Sequence, residues 1–269
     1  MKHVLVRAAL CAALVLPAAA QAHKMWMVPS ATVVSGDDAW VTVDAAVSND
    51  LYYPDHFPAQ LDQLAITAPD GSAVKAENPW TGKYRSTFDL PVPQKGTYRI
   101  ALVNQGLFAS YELEGKKQRW RGKADELKTG IPAGASDVQV SEMASRVETF
   151  VTQGKPGGDA LKPTGKGLEL VPVTQPNDLV TGEKATFRLL LDGKPAPNLK
   201  VVAIAGATRY RDSQDEMDTT TDADGTFAFT FPKAGMYWVN ASTEDGKTSV
   251  KEAKRRRVAY TATLEVLPE

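Results

Sequence analysis

Phe229-Thr230-Phe231-Pro232, followed by Ala234-Gly235-Met236-Tyr237-Trp238-Val239, decides the fold class of this 269-residue chain. The same order occurs earlier, as Phe88-Asp89-Leu90-Pro91 and then Lys95-Gly96-Thr97-Tyr98-Arg99-Ile100. Each copy reads as a strand, a proline break, a glycine turn and a second strand opened by tyrosine. Glycine lets the backbone turn where a Cβ would clash. Tyrosine packs its ring inside while its hydroxyl finds a backbone partner. Two copies of one unit argue for two sandwich domains of similar design.

Working outward, Val41-Thr42-Val43, Leu64-Ala65-Ile66, Tyr98 to Val103, Thr186 to Leu189 and Phe227 to Phe231 are short and rich in β-branched or aromatic residues. Turn formers separate them, at Ser35-Gly36-Asp37-Asp38, Pro69-Asp70-Gly71, Asp192-Gly193 and Asp222-Ala223-Asp224-Gly225. Strands at this spacing predict an all-β chain of two Ig-like or prealbumin-like antiparallel β-sandwich domains joined by an irregular segment. The first sandwich is expected over residues 23–115 and the second over 166–269. Between them, residues 116–165 read as irregular, with one helical turn around Lys123–Lys128 and a Gly/Pro-rich linker from Gln153 to Gly165. By period alone, Ser141–Gln153 fits a strand or an amphipathic helix. In the second half, Asp192 to Val201 with Thr221 to Phe227 is similar to the prealbumin-like or carboxypeptidase-regulatory-like sandwich, in which the aspartates and glycine shape a hairpin. Asp222 and Asp224 lack the Gly and distal Glu spacing of a calcium loop.

The N-terminus predicts export. Lys2 and Arg7 precede an apolar run from Ala8 to Ala20 that is too short to span a bilayer, and Ala20-Gln21-Ala22 supplies a small-x-small cleavage pattern. Residues 1–22 are therefore read as a signal peptide, with His23 as the first mature residue and the periplasm as destination. Cys11 is the single cysteine and falls in that leader, so the mature chain is expected to rely on a packed core instead of disulfides. No later stretch is apolar enough to form a membrane span. Without Lys2 and Arg7 the 31 basic residues become 29 against 32 acidic, a net charge of −3, which argues against nucleic acid as a partner. The one basic run, Lys254-Arg255-Arg256-Arg257, is expected on a solvated loop or edge strand.

Histidine is scarce: His3, His23 and His56. A free α-amine at His23, with a pKa near 8, can lose its proton and bind metal. The His23 imidazole then closes a chelate ring, and His56 is the only other imidazole that can complete the three-nitrogen set called a histidine brace. Such nitrogen donors suit copper, nickel or zinc. His56 lies in Asn49-Asp50-Leu51-Tyr52-Tyr53-Pro54-Asp55-His56-Phe57-Pro58, read as a loop in which Asp50 or Asp55 orients a ligand. Met25 and Met27 either add thioether donors or alternate with Trp26 along a first strand. Catalytic signatures are lacking: no mature cysteine nucleophile, no Gly-x-Ser-x-Gly elbow and no phosphate-cradling loop occurs.

His23-Lys24-Met25-Trp26-Met27-Val28-Pro29-Ser30 resembles the opening of the exported "domain of unknown function 4198" family. Gly167 to Thr174 followed by Leu191-Asp192-Gly193-Lys194-Pro195, and the ending Tyr260 to Val266, are similar to that family's later hallmarks. The resemblance implies two β-sandwich domains, a strand at Ser141–Gln153 and an association with cobalt or nickel uptake. The expectation is a non-enzymatic periplasmic protein that binds a divalent transition metal through His23 and His56 and serves a membrane metal transporter. The alternatives are a metal-free envelope module that binds carbohydrate or protein, and a copper oxidative enzyme sharing the brace.

Overall fold

The computed structural model describes residues 23–269, so the leader read at residues 1–22 lies outside the described residues. The first half supplies β1 (Lys24–Pro29), β2 (Val33–Val34), β3 (Trp40–Ser48), β4 (Phe57–Pro58), β5 (Leu64–Thr67), β6 (Ala73–Val74), β7 (Glu77–Thr81), β8 (Ser86–Pro91) and β9 (Gly96–Leu113). β10 (Lys116–Gly122), the single-turn helix α1 (Leu127–Gly130) and β11 (Ser136–Gln153) follow. The second half adds β12 (Leu168–Pro172), β13 (Lys184–Leu191), β14 (Lys194–Pro195), β15 (Lys200–Ala205), β16 (Met217–Thr220), β17 (Thr226–Thr230), β18 (Gly235–Asp245) and β19 (Ala253–Val266). The chain is all-β, as the strand and turn pattern predicts.

One ten-stranded sheet runs through both halves in the order β16-β15-β18-β19-β11-β9-β5-β6, with β10 on β9 and β2 on β11. A five-stranded sheet (β1-β3-β8-β7, with β4 on β3) and a four-stranded sheet (β12-β13-β14, with β17 on β13) complete the layers. The cores lie on opposite faces of β11: Val147 and Val151 enter the first core with Met27, Phe88 and Ile100, and Phe150 enters the second with Phe187, Phe231 and Tyr260. Successive side chains of a strand point to opposite faces, so β11 is buried on both sides from Arg146 to Gln153. A strand covered on two faces has no polar alternation. That is the physical reason Ser141–Gln153 has no decisive period.

β11 pairs antiparallel with β9 but parallel with β19 and β2. The parallel pairs depart from the expected antiparallel pattern. A hairpin joins β9 to β10, whereas the whole second core intervenes between β11 and β19, long enough a crossover for parallel pairing. Residues 116–135, read as irregular, contain β10, paired along β9 from Lys116↔Leu113 to Gly122↔Leu107. β10 is charged and almost wholly exposed, so no buried face marks it as a strand.

The repeated sequence unit has one structure in both halves. The Tyr98 hydroxyl accepts from Gln94 N at 2.8 Å, and the Tyr237 hydroxyl donates to Lys233 O at 2.9 Å, each four residues upstream. Gly96 (φ 129°) and Gly235 (φ 133°) take the turn. A Cβ at Gly96 would come within 2.6 Å of Pro69 Cβ and 2.9 Å of Gly157 O, so only glycine fits there.

Where the sheet passes from one core to the other, β9, β11, β12 and β19 enclose a charge cluster. Glu148 faces Arg146 at 3.1 Å and Arg99 at 3.7 Å, and Glu169 faces Arg146 at 3.5 Å. The Tyr260 hydroxyl donates to Glu148 at 2.7 Å. Burial, together with the adjacent Glu148 carboxylate, raises the Tyr260 pKa well above the usual phenol value, so this hydroxyl keeps its proton. Glu169 also accepts main-chain N–H bonds from Thr164, Gly165 and Lys166, which folds the segment before β12 around it.

Candidate functional site

β1 is covered on both faces. On one side Met27 is fully buried in the first core. On the other, Trp26 joins Ala46, Leu51 and Ile204 in a cluster shared by the two halves. Trp26 Nε1 donates to Ser48 Oγ at 2.7 Å, and Trp238 Nε1 donates to Met25 O at 3.0 Å. The strand that opens the described chain is thus held from its own sandwich and from the opposite half. Met25, on the same face as Met27, packs half-buried against the edge of the first core and also lines a cleft. Of the two sequence readings for the methionines, alternation with Trp26 along a first strand describes both, Met27 wholly buried and Met25 partly.

The loop from Asn49 to His56 is shaped by its own polar groups. Tyr53 N donates to Asp50 O, and Tyr52 takes φ 64°, a left-handed turn. Asn49 N donates to Asp55 Oδ1 at 3.0 Å, so Asp55 braces the loop. Leu51 N donates to Thr208 Oγ1 at 2.8 Å, and Thr208 Oγ1 contacts Asp50 Oδ1 at 3.4 Å. Asp50 and Asp55, read as groups that orient a metal ligand, are engaged in holding the loop. Arg209 lies over the Tyr53 ring at 4.0 Å. Ile204, Thr208 and Trp238 therefore position the loop and β1 from the second half. Nothing local to those residues signals it, because the contacts span more than 150 residues.

This scaffold brings the two sequence-predicted ligands together. β1 pairs β3 with Lys24 opposite Ser48, and β3 pairs β4 with Val47 opposite Phe57. His23, just before β1, and His56, just before β4, therefore emerge at the same end of the two strands that flank β3. Their rings stack with centroids 3.7 Å apart and planes 20° from parallel. Phe57 stands beside both, 4.6 Å from the His56 ring and 6.4 Å from the His23 ring. Stacked rings do not aim their in-plane lone pairs at one point, so binding one ion requires a side-chain rotation. Both imidazoles are exposed and free of core packing. Among the described residues no group of three or more His, Cys, Asp or Glu side chains converges. The third donor of the predicted set is the main-chain nitrogen of His23, which becomes an amine only when the bond to Ala22 is cut. The structure thus brings together two exposed imidazoles in contact at one end of the sheet.

Lys24, the next residue, is buried, and desolvation pulls its ammonium pKa down; Glu216 and Asp50 oppose that shift. Its Nζ lies 5.9 Å from the Trp238 ring.

The family described as "Domain of unknown function (DUF4198)" matches residues 20–245. The chain belongs to this family. No curated protein matches the chain. Among solved structures, the D0-D1 domain of intimin is 13% identical, with a TM-score of 0.22, over 90% of this chain and 97% of that one. Chicken CNTN1 FN1-FN3 is 8% identical, with a TM-score of 0.24, over 90% and 97%. Escherichia coli alpha-2-macroglobulin is 12% identical, with a TM-score of 0.22, over 90% of this chain and 31% of that one.

Elsewhere in this DUF4198 chain, the basic run lies on β19, and its three arginines are paired from β18 and the 192 turn. Arg256 bridges Asp192 and Asp245, both at 2.7 Å, while Arg255 and Arg257 pair with Glu244 at 3.1 and 2.9 Å. It offers no free basic patch. Asp222 Oδ1 accepts from Asp224 N and Thr226 N, so this carboxylate builds the turn. Among the described residues no helix is long and apolar enough to cross a membrane.

Proposed function

We propose that this DUF4198 protein is a non-enzymatic, exported metal-binding protein. It holds a divalent transition metal, nickel, cobalt or copper, through the His23 amine, the His23 imidazole and His56. The observation that supports this reading is the contact between the rings of His23 and His56 at 3.7 Å. These are the only two histidines beyond the leader, and they are brought together by register between strands. Export would free the His23 amine in the periplasm, and handover to a membrane transporter is the proposed use.

Equilibrium dialysis of protein that begins at His23, against nickel and cupric ion, tests it. His56→Ala is expected to lose tight binding, and so is a chain with one extra residue before His23, because a peptide nitrogen cannot replace an amine. Unchanged affinity in the extended chain refutes the brace. Wild-type protein that binds neither ion would instead be the metal-free envelope module.

A further inference from the structure

We propose that a break in the large sheet binds a short peptide with free termini, in the cleft that Met25 lines. β11 pairs with one edge of β9 without interruption from Gln139↔Ser110 to Gln153↔Gly96. The other edge of β9 is divided: β5 covers residues 99–102 and β10 covers residues 107–113. Val103 N donates to Gln63 O at 3.1 Å, where the cover from the β5 side ends. Among the described residues no strand pairs with residues 104–106 on that edge. Alternate residues of a strand turn their main-chain groups to the same edge, so Gln105, two on from Val103, directs its N–H and C=O into the gap. From Val103 to Gly106 the break is about 10 Å of strand, roughly the reach of three extended residues.

Gln63, Gln105, Gly106 and Gly122, which surround the gap, all line one cleft of about 430 Å³, within the size range of small-ligand sites. Met25 from β1 and Met143 from β11, both half-buried, give it apolar walls. Thioether side chains adapt to apolar groups of different shape. Register places opposite charges at the two ends of the gap. Asp62 precedes Gln63, at the Val103 end. Arg121, opposite Phe108, and Lys123, one past the Gly122↔Leu107 pair, stand at the other end. All three are exposed, and among the described residues none is ion-paired. Glu126, also at the cleft, is turned back to accept from Lys123 N at 2.9 Å. A zwitterionic peptide complements this arrangement, with its ammonium at Asp62, its carboxylate at Arg121 and Lys123, and its main chain along Gln105. It then runs in the direction of β9, with apolar side chains against the methionines. A neutral sugar leaves the charges at both ends without partners. Neither imidazole lines the cleft, so this site is separate from the histidine pair.

Isothermal titration with trileucine tests this, beside triglycine, trileucine amide, N-acetyl-trileucine and maltotriose. The protein begins at His23 and is stripped of metal with EDTA, so the outcome does not depend on the histidine site. Triglycine is expected to bind roughly tenfold or more weakly than trileucine, having no side chains to bury. Amidating trileucine is expected to weaken binding to wild type by about fivefold. The same change is expected to have no effect on an Arg121→Ala/Lys123→Ala variant, which has already lost the partners of the carboxylate. Asp62→Asn is expected to weaken trileucine by a similar factor and to leave N-acetyl-trileucine unaffected. These side chains are exposed, so the variants are expected to keep the fold. Trileucine that does not bind wild type at millimolar concentration overturns the proposal. So does an equal loss on amidation in wild type and the double variant, triglycine as tight as trileucine, or maltotriose tighter than trileucine.

Discussion

Replacing Glu148 by glutamine removes one charge from the cluster between the two cores and keeps its volume. The side chains of Arg99, Arg146, Glu148 and Glu169 are 5%, 10%, 1% and 2% exposed, so water screens none of them well. In wild type two arginines and two glutamates balance. In Glu148→Gln, Arg146 retains Glu169 at 3.5 Å, and Arg99 loses its only charged partner, 3.7 Å away. A unit pair near this distance is worth about 4 kcal/mol at an effective dielectric of 20, and breaking buried pairs costs about 3–5 kcal/mol. For a chain of this size the melting temperature should fall by roughly 6–20 °C. Urea unfolding followed by tryptophan fluorescence and circular dichroism measures it. Adding Arg99→Met restores charge balance, so the double variant is expected to be more stable than Glu148→Gln alone. A loss under about 1 kcal/mol in the single variant, or a double variant weaker than the single, refutes the reasoning.

Gly225 takes φ 77°, and a Cβ there would lie 2.4 Å from Leu189 O and 2.9 Å from Ala196 N. Gly225→Ala should therefore cost about 1–3 kcal/mol, read as a lower urea midpoint; an unchanged midpoint means the turn adapts freely. Hydrogen bonds from Arg256 hold the carboxyl pKa values of Asp192 and Asp245 below the usual aspartate value. Folded pKa values below the unfolded ones mean that this stabilisation is complete above the unfolded value, near pH 4. It is lost as pH falls through the folded values. The stability gap between wild type and Arg256→Gln should stay constant from pH 7 to 5 and narrow below pH 4. A gap that does not change with pH contradicts the assignment.

Much of the fold is legible in local chemistry. The turn at Asp222–Gly225 and the two units ending in Tyr98 and Tyr237 follow from what aspartate, glycine, proline and tyrosine do over a few residues. β10 is not legible, because its charged residues bury no face and its pairing with β9 leaves no pattern. β11 is not decisive either, since burial on both sides removes the alternation that identifies a strand. For the candidate site, scarcity was the signal: with two histidines beyond the leader, His23 and His56 are the pair to consider. The loop carboxylates Asp50 and Asp55 were read as groups that orient a ligand; in the structure Asp55 accepts from Asn49 N and Asp50 from the Thr208 hydroxyl, contacts that no local pattern announces.

By itself the sequence determined the all-β class, the turns and the identity of the two imidazoles, because backbone preference and side-chain alternation act between near neighbours. Only the tertiary structure decided that β11 and β19 pair in parallel, that one sheet serves both cores, and that Trp238 and Thr208 clamp β1 and the His56 loop. It also decided that the His23 and His56 rings touch. That contact depends on the register of β1 on β3 and of β4 on β3, and register is set by burial across whole sheets.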